Sequence, residues 1–266
     1  MFGKRLLLVV FIALPGTLFG NLTYEGSSTI GENILPRLTR AFEEVAGVRF
    51  SSISNQGSGK GVEAILQRKA DIAGLSRPLS AKEKSENLYY QIIGFDAVAV
   101  YIHPSNPLTG LSRTQIRDIF TGRVRNWKEV GGANQPIRIY TEFLKGRRAT
   151  IQEFQAMAMD GLPYGPAIEK DTQREILEAV SKDPAGITFA SFSYRSQALK
   201  MLRYEGVEPT RSHVRSGIYR LSRPLILATR EVPQGDVRRF IHFVLSDEGQ
   251  KMVDQVFASV IDVSGR

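Results

Sequence analysis

The segment LTYEGSSTIGENILPRLTRAFEEV, residues 22–45, contains the pattern that decides the fold class. Leu22 to Tyr24 are typical of a short strand, and the turn Gly26-Ser27-Ser28-Thr29 then leads into a helix. Apolar residues recur at helical spacing after this turn and predict one buried helix face, which comprises Ile34, Leu35, Leu38, Phe42 and Val45. A strand followed at once by an amphipathic helix is the basic unit of α/β proteins.

The same alternation continues to the C-terminus, without an internal repeat or a low-complexity tract. Further short strands are predicted near residues 48–53, 71–73, 97–102, 186–190 and 225–228. Ser112, Thr150 and Thr172 each precede a Gln or Glu by three residues, a spacing that predicts capping boxes at three helix starts. We therefore predict an α/β fold.

The composition excludes several kinds of chemistry. A chain of 266 residues with 42% hydrophobic residues can form one large or two small domains with a sizeable core. The absence of Cys excludes a disulfide framework, a thiolate metal site and a cysteine nucleophile. His103, His213 and His242 are far apart in sequence and lack metal-site spacing, so we interpret them as surface or core-edge residues and predict no metal and no cofactor.

The N-terminus has the features of a secretory signal. Lys4 and Arg5 precede the apolar run Leu6 to Leu14, which is shorter than the roughly 20 residues of a membrane span. We predict a signal peptide over residues 1–20 and a soluble periplasmic protein, the alternative being a buried N-terminal helix. Its removal lowers the formal charge from +8 to +6. The basic residues are scattered, which favours small anions or an acidic partner over nucleic acid.

Three Gly-, Ser- or Thr-containing turns precede predicted helices: Gly26 to Thr29, Gly57 to Gly61, and the segment ending at Thr150. Each leaves backbone N–H groups at the positive end of a helix dipole, where oxyanions bind. Taken singly, each turn is also explained by ordinary capping. Together they predict an anion site. A nucleotide P-loop is excluded because Gly61, not Ser or Thr, follows Lys60.

Ser76 and Arg77 follow the predicted strand at residues 71–73, at the strand end where open α/β folds bind ligands. The Arg77 guanidinium could bind an oxyanion with two parallel hydrogen bonds. It could equally pair with a nearby carboxylate and hold the loop. The residues alone leave both interpretations open.

Several segments, taken in order, resemble the PstS-like periplasmic phosphate-binding proteins of ABC importers. The segments that carry the resemblance are Gly26 to Thr29, Gly57 to Gly61, Asp71 to Leu79, Leu111 to Gly122, Asn126 to Gly132, Ser222 to Leu225, Phe243 to Ser246 and Glu248 to Gln250. The resemblance implies a type II periplasmic-binding fold, in which two α/β lobes are joined by two crossing strands and close over a ligand. It places lobe 1 at residues 21–97 and 223–266, and lobe 2 at residues 98–222.

Transferred residue by residue, the resemblance implies a set of oxyanion ligands: Ser28, Thr29, Ser58, Ser76 and Arg77 from lobe 1, with Arg148 and Thr150 from lobe 2. The departure lies in lobe 2, where the family usually has an Arg followed by Ser-Gly-Thr-Arg. Here Glu142 occupies the place of that Arg, and the loop is about two residues longer. Lys145, Arg147 and Arg148 could supply the missing charge, or the loop could be solvated.

The role of Glu142 stays open at this level. Its carboxylate could accept the proton of monohydrogen phosphate and repel sulfate, or it could weaken any dianion site.

The resemblance implies a monomeric binding protein, not an enzyme, that captures phosphate or a similar oxyanion and delivers it to a membrane permease. Glu142 and the altered loop support an alternative, a repurposed envelope interaction module of the same fold. A phosphate-ester hydrolase would need a metal cluster or an activated nucleophile, and the sequence indicates neither.

Overall fold

The computed structural model describes residues 21–146 and 148–263, so the predicted signal peptide, residues 1–20, lies outside the described residues. The strands of the described ranges are β1 (Asn21–Gly26), β2 (Arg49–Ser54), β3 (Ile72–Leu75), β4 (Tyr89–Ile102), β5 (Gly110–Leu111), β6 (Arg138–Glu142), β7 (Ile168–Lys170), β8 (Gly186–Ser191), β9 (Lys200–Met201), β10 (Arg203–Tyr204) and β11 (Ser222–Thr229).

The α-helices of the same ranges are α1 (Ser28–Asn33), α2 (Leu35–Ala46), α3 (Ser58–Leu66), α4 (Ala81–Ser85), α5 (Arg113–Phe120), α6 (Ala149–Ala158), α7 (Gln173–Ser181), α8 (Arg211–Arg215), α9 (Gly235–Leu245) and α10 (Asp247–Val256). Short 3-10 helices cover Trp127–Val130, Leu144–Gly146 and Phe192–Tyr194. None of these helices combines the length and the apolar composition needed to cross a bilayer.

One mixed sheet, in the order β2-β1-β3-β11-β4-β8-β6-β7, connects the two halves of the molecule. β4 pairs with β11 as far as Ala97 and with β8 from Val98 onward. We call the part around β1, β2, β3, β11 and the first half of β4 lobe 1, and the part around β6, β7, β8 and the second half of β4 lobe 2. The predicted α/β class is confirmed.

Aromatic clusters pack the helices against each half of the sheet. In lobe 1, the rings of Phe42 and Phe240 meet edge to face with centroids 5.3 Å apart. In lobe 2, Phe154 of α6 stacks on Phe189 of β8 at 3.8 Å, and Phe120 packs edge-on against both. Burial of these large apolar rings fixes α6 on the sheet and thereby fixes the position of its first turn.

The structure corrects the predicted helix after the first strand. It is divided into α1 and α2 at Ile34, and Pro36 lies in the first turn of α2, where its missing N–H costs no helical hydrogen bond. Val45 is 63% exposed, so its predicted place on the buried face is wrong. Val45 lies in the last turn of α2, one residue before the helix ends at Ala46 and beyond the buried residues Leu35, Leu38 and Phe42.

Of the three predicted capping boxes, one forms in full, and a second helix start is capped by its hydroxyl alone. Ser112 and Gln115 form the reciprocal capping box of α5, and the Thr172 hydroxyl accepts from the Glu175 N–H. The prediction at Thr150 is wrong, because α6 begins at Ala149 with Arg148 at the cap position, two residues earlier than predicted, and Thr150 lies inside the first turn. Its hydroxyl has other partners, described below.

Candidate functional site

A small pocket lies between the lobes. Lobe 1 contributes the starts of α1 and α3 and the end of β3, and lobe 2 contributes the end of β6 and the starts of α6 and α7. The residues in its wall are Ser27, Ser28, Thr29, Gly57, Ser58, Ser76, Glu142, Arg148, Ala149, Thr150 and Gln173. About 10 Å³ of the pocket is open to the centre of a water molecule, so it suits a compact ligand.

Six of the seven predicted ligand residues meet in this pocket. They are Ser28, Thr29 and Ser58 at helix starts, Ser76 after β3, and Arg148 and Thr150 at the start of α6. Gly26 permits this convergence, because a Cβ there would lie 2.3 Å from the Gly74 carbonyl oxygen. The close approach of β1 to β3 places the α1 turn beside Ser76.

Three of the four helices that begin at the pocket lack side-chain caps, and the fourth, α7, is capped by Thr172. In α1, α3 and α6 no side chain bonds to the N-terminal N–H groups, whereas α4, α5, α7, α8 and α10 are each capped by a Ser or Thr hydroxyl. The first N–H groups of a helix have no intrahelical acceptor. Three helix starts therefore direct unpaired donors and positive dipole ends toward one small volume.

The hydrogen bonds around Thr150 make its hydroxyl a donor. Its Oγ1 accepts from Arg223 Nη1 at 3.0 Å and from Gln173 Nε2 at 3.2 Å. The Ser191 N–H donates to Gln173 Oε1, which fixes the orientation of that amide. Since two acceptor lone pairs are all that a hydroxyl has, the Thr150 O–H can only donate.

The hydroxyls of lobe 1 are arranged in a similar way. Ser58 Oγ accepts from the Ser76 N–H at 3.1 Å, Ser76 Oγ accepts from the Ser27 hydroxyl at 2.9 Å, and Thr29 Oγ1 accepts from Arg223 Nη2 at 3.2 Å. Each of Ser58, Ser76 and Thr29 keeps its own O–H proton for a further acceptor. A ligand rich in acceptor oxygens fits this wall.

Arg223 is the residue that sequence reasoning missed. Its side chain is completely buried between the lobes, on β11 directly opposite Asp96 of β4. Nε and Nη2 donate to Asp96 Oδ2 at 3.1 and 2.8 Å, while the remaining bonds reach Thr29 in lobe 1 and Thr150 in lobe 2. In the sequence, Arg223 stands out only because Arg223 and Pro224 precede an apolar strand and belong to a segment that carries the family resemblance.

The Asp96–Arg223 pair is a buried ion pair next to the hydroxyls of Thr29 and Thr150. Burial raises the pKa of Asp96, and the guanidinium of Arg223 and the Ser191 hydroxyl, 2.7 Å from Oδ1, oppose that rise. Interactions of such charges are little screened by water at a buried site. The guanidinium thus holds a hydroxyl from each lobe in position with full hydrogen-bond strength.

Glu142 gives the lobe 2 wall a titratable group. It is 2% exposed, its Oε1 has no hydrogen-bond partner within the described chain, and Arg148 Nη1 lies 3.4 Å away. Burial raises the pKa of Glu142 to about 7, against the opposing attraction of Arg148 and Arg223. The pocket therefore has a carboxyl group that changes charge near neutral pH.

The structure gives Arg77 a different place from the one implied by the resemblance. Its Nη1 and Nη2 donate to the two carboxylate oxygens of Glu83 at 2.6 Å each, and Nη1 also donates to the Pro78 carbonyl. This ion pair, the second interpretation of the sequence, keeps Arg77 out of the inner pocket. Lys145 is exposed and outside the pocket wall, and Arg147 lies outside the described residues.

Nothing in the described ranges suggests hydrolytic chemistry. They contain no group of three or more His, Asp or Glu side chains that could hold a metal ion. The hydrogen bonds of Ser58, Ser76 and Thr150 come from amide, hydroxyl and guanidinium donors, so none of these hydroxyls is hydrogen-bonded to a general base.

Comparison with known proteins gives a consistent result. Residues 15–248 match the PBP superfamily domain. The chain is 25% identical over 252 residues to the phosphate-binding protein PstS of Bacillus subtilis, covering 92% of this chain and 82% of that protein. Among solved structures, it is similar to a protein from Clostridium perfringens assigned as a phosphate ABC transporter substrate-binding protein, with bound phosphate (27% identity, TM-score 0.83, 91% and 100% coverage). An ABC-type phosphate transport receptor from Vibrio cholerae has the same fold (24% identity, TM-score 0.75, 89% and 98% coverage).

Proposed function

The chain belongs to the PBP superfamily, and on that basis we propose that it captures inorganic phosphate between its lobes and delivers it to the permease of an ABC importer. Two relatives with at least 25% identity are described as a phosphate-binding protein and as a transporter's substrate-binding protein. In this function no covalent bond is made or broken, and neither a metal nor another cofactor is needed.

The observation that carries the proposal is the donor-only state of the Thr150 hydroxyl. Both of its lone pairs are occupied by Arg223 and Gln173, so the pocket directs an O–H at a position where only an acceptor fits. The uncapped starts of α1, α3 and α6 add backbone donors around the same point. A tetrahedral oxyanion has acceptor oxygens in all of these directions.

The energies are sufficient for useful affinity. Hydrogen bonds to a charged group contribute about 1.5–3 kcal/mol each. A handful of them yields roughly −8 kcal/mol, or about micromolar affinity, after the costs of immobilisation and closure. Specific recognition of phosphate thus does not require a cation in direct contact with the ligand.

We assign the mobile units to residues 21–97 with 223–266 and to residues 98–222. The change of β4 from β11 to β8 after Ala97 supports this division, and β11 begins beside the same point. Arg223 lies at the crossing and contacts a hydroxyl of each unit. Thr29 and Thr150 share this guanidinium in the structure, so opening of the units would break at least one of the two hydrogen bonds.

We further propose that the protein is exported to the periplasm by residues 1–20 and acts there as a monomer, without binding nucleic acid. The basic n-region and short apolar run support export. The scattered basic residues and the recessed, compact pocket favour a small anion as ligand.

Glu142 is assigned the role of proton acceptor. Its Oε1 accepts no hydrogen bond within the described chain and faces a pocket otherwise built of donors, so it accepts the P–O–H proton of a protonated phosphate. Sulfate has no such proton near neutral pH and would meet a lone pair or a negative charge there.

The test is calorimetric titration of the purified chain with phosphate and with sulfate. We expect one phosphate site of roughly micromolar affinity and much weaker sulfate binding. Thr29→Val should weaken phosphate binding, whereas the matched change Thr39→Val in α2, whose hydroxyl bonds only the Pro36 carbonyl, should not. Absence of phosphate binding at millimolar concentration would contradict the proposal.

The buried Glu142 favours one alternative, an envelope interaction module in which anion binding is altered or lost. A negative carboxylate in the pocket wall opposes a dianion. Thermal unfolding in the presence of phosphate, sulfate, molybdate and small organic anions separates the two functions, since only a bound ligand raises the unfolding temperature. Stabilisation by none of them would favour the interaction module.

A further inference from the structure

A larger cavity adjoins the inner pocket between the lobes. This outer cavity, which we call the vestibule, offers about 290 Å³ to the centres of water molecules. The two spaces share Gly57 and Ser58 at the start of α3, and Arg148 and Ala149 at the start of α6. A ligand held in the inner pocket can therefore extend between the two helix starts.

The vestibule is lined by charged and amide side chains. Lys60, Arg77 and Arg148 provide three cations, and Glu63 is the one carboxylate in its described lining. Gln56 and Gln152 supply amides, and the rest of the lining is Gly, Ser and Ala. This surface favours an ionic or strongly polar group and offers nothing to an apolar substituent.

The cations of the vestibule retain hydrogen-bonding capacity. Arg148 lies 3.4 Å from Glu142 and 3.7 Å from Asp171, distances beyond ordinary charge-assisted hydrogen bonds. Lys60 bonds to Glu63 at 2.8 Å, but both side chains are at least half exposed, and such pairs contribute little. Both cations can redirect donors to an anion at small cost.

Arg77 is held at the edge of the same space. Its ion pair with Glu83 uses one edge of the guanidinium, and both side chains are only 13% exposed. The Nε–H of Arg77 has no acceptor within the described chain. The ion pair thus positions a cation that the inner pocket does not use.

We propose that the vestibule is a subsite for a second anionic group, so that the protein binds phosphate compounds in which another anion adjoins the phosphoryl group, inorganic diphosphate being the simplest. This inference rests on the proposed phosphate site. The first phosphoryl group occupies the inner pocket, where Glu142 Oε1 is buried and accepts no hydrogen bond from the described chain. The second lies among Arg148, Lys60 and Arg77.

The test is competitive calorimetry of the full chain with phosphate, diphosphate and methyl phosphate in magnesium-free buffer. Diphosphate is expected to displace phosphate at a single site. Lys60→Gln should weaken diphosphate at least threefold, and Lys60→Gln with Gln152→Glu at least tenfold, with less than a twofold change for phosphate. Lys69→Gln, the same charge change on an exposed residue after α3 and outside the vestibule, is the control and should affect neither ligand.

The other possible outcomes contradict either the vestibule subsite or the proposed phosphate function. Failure of diphosphate to displace bound phosphate at millimolar concentration overturns the subsite and leaves the phosphate function intact. The subsite is also overturned if Lys60→Gln weakens phosphate and diphosphate binding equally. The same holds if methyl phosphate and diphosphate bind equally well and Lys60→Gln changes neither affinity. If phosphate itself fails to bind, the proposed function falls and the subsite falls with it.

Discussion

The two walls of the pocket differ in the groups that they present to a ligand. The lobe 1 wall consists of neutral hydroxyls and helix starts. Within this wall the Ser76 N–H donates a hydrogen bond to Ser58 Oγ. The lobe 2 wall contains the carboxylate of Glu142 and the guanidinium of Arg148. It also contains the Thr150 hydroxyl, which accepts a hydrogen bond from Arg223. The difference indicates that lobe 1 is a preorganised donor surface, whereas lobe 2 sets the charge and the pH response.

Arg223, which joins the two walls, carries the largest expected effect. Arg223→Met leaves Asp96 buried without a cation and is expected to lower the free energy of unfolding by about 3–5 kcal/mol. It should also abolish phosphate binding, since Thr29 and Thr150 lose their common partner. Chemical denaturation and calorimetry measure the two losses.

A second variant separates stability from positioning at the same place. Asp96→Leu combined with Arg223→Met removes both charges, so most of the stability should return while binding stays absent. Phosphate affinity equal to that of the parent in this double variant would show that the walls act without the guanidinium.

The charge of the lobe 2 wall is tested by Glu142→Gln. Because burial raises the pKa of Glu142 from 4.5 to about 7, the folded protein holds this proton more tightly than the unfolded chain does. The stability of the parent should therefore fall as pH rises from about 4.5 and reach its lower level above about 7, a loss of about 2–3 kcal/mol.

Glu142→Gln should remove that decline, and denaturation between about pH 5 and about pH 8 measures it. The same variant should admit sulfate more readily, because the wall no longer becomes negative above pH 7. An unchanged pH profile in the variant would mean that another group titrates.

A pair of hydroxyl deletions compares the two walls directly. Thr150→Val leaves two donors, from Arg223 and Gln173, without an acceptor, whereas Ser58→Ala leaves only the Ser76 N–H. Both should weaken phosphate binding by about 1.5–3 kcal/mol, with the larger loss at Thr150. Calorimetric dissociation constants give the comparison. A larger loss at Ser58 would place the dominant contact in lobe 1.

The smallest effect on phosphate binding is expected at Arg77. Because its guanidinium is bound to Glu83 outside the inner pocket, Arg77→Gln should change phosphate affinity less than about threefold. Because it leaves the mostly buried Glu83 carboxylate without its cation, it should lower stability by more than an exposed ion pair contributes, which is up to about 1 kcal/mol. Arg203→Gln, which removes a pairing with Glu208 in lobe 2, is the matched control. Loss of phosphate binding in Arg77→Gln alone would restore Arg77 to the ligand set.

The sequence predicted the features that depend on neighbours along the chain. The strand-to-helix turns at Gly26 to Thr29 and at Gly57 to Gly61 lie where the pattern placed them, because Gly, Ser and Thr favour those backbone conformations locally. The capping box at Ser112 forms for the same reason. The capping box expected at Thr150 does not form, and the Thr150 hydroxyl instead accepts tertiary hydrogen bonds from Arg223 and Gln173.

By itself, then, the chain of residues determined the α/β alternation and the positions of the Gly-, Ser- and Thr-containing helix starts, since both follow from local periodicity and turn chemistry. Only the tertiary structure decided which cation serves the pocket. Arg223 reaches Thr150 across 73 positions and Thr29 across 194, while Arg77 turns to Glu83 six residues away. A buried guanidinium must be fully paired, and its partners are chosen by the packing of distant strands, which no local pattern records.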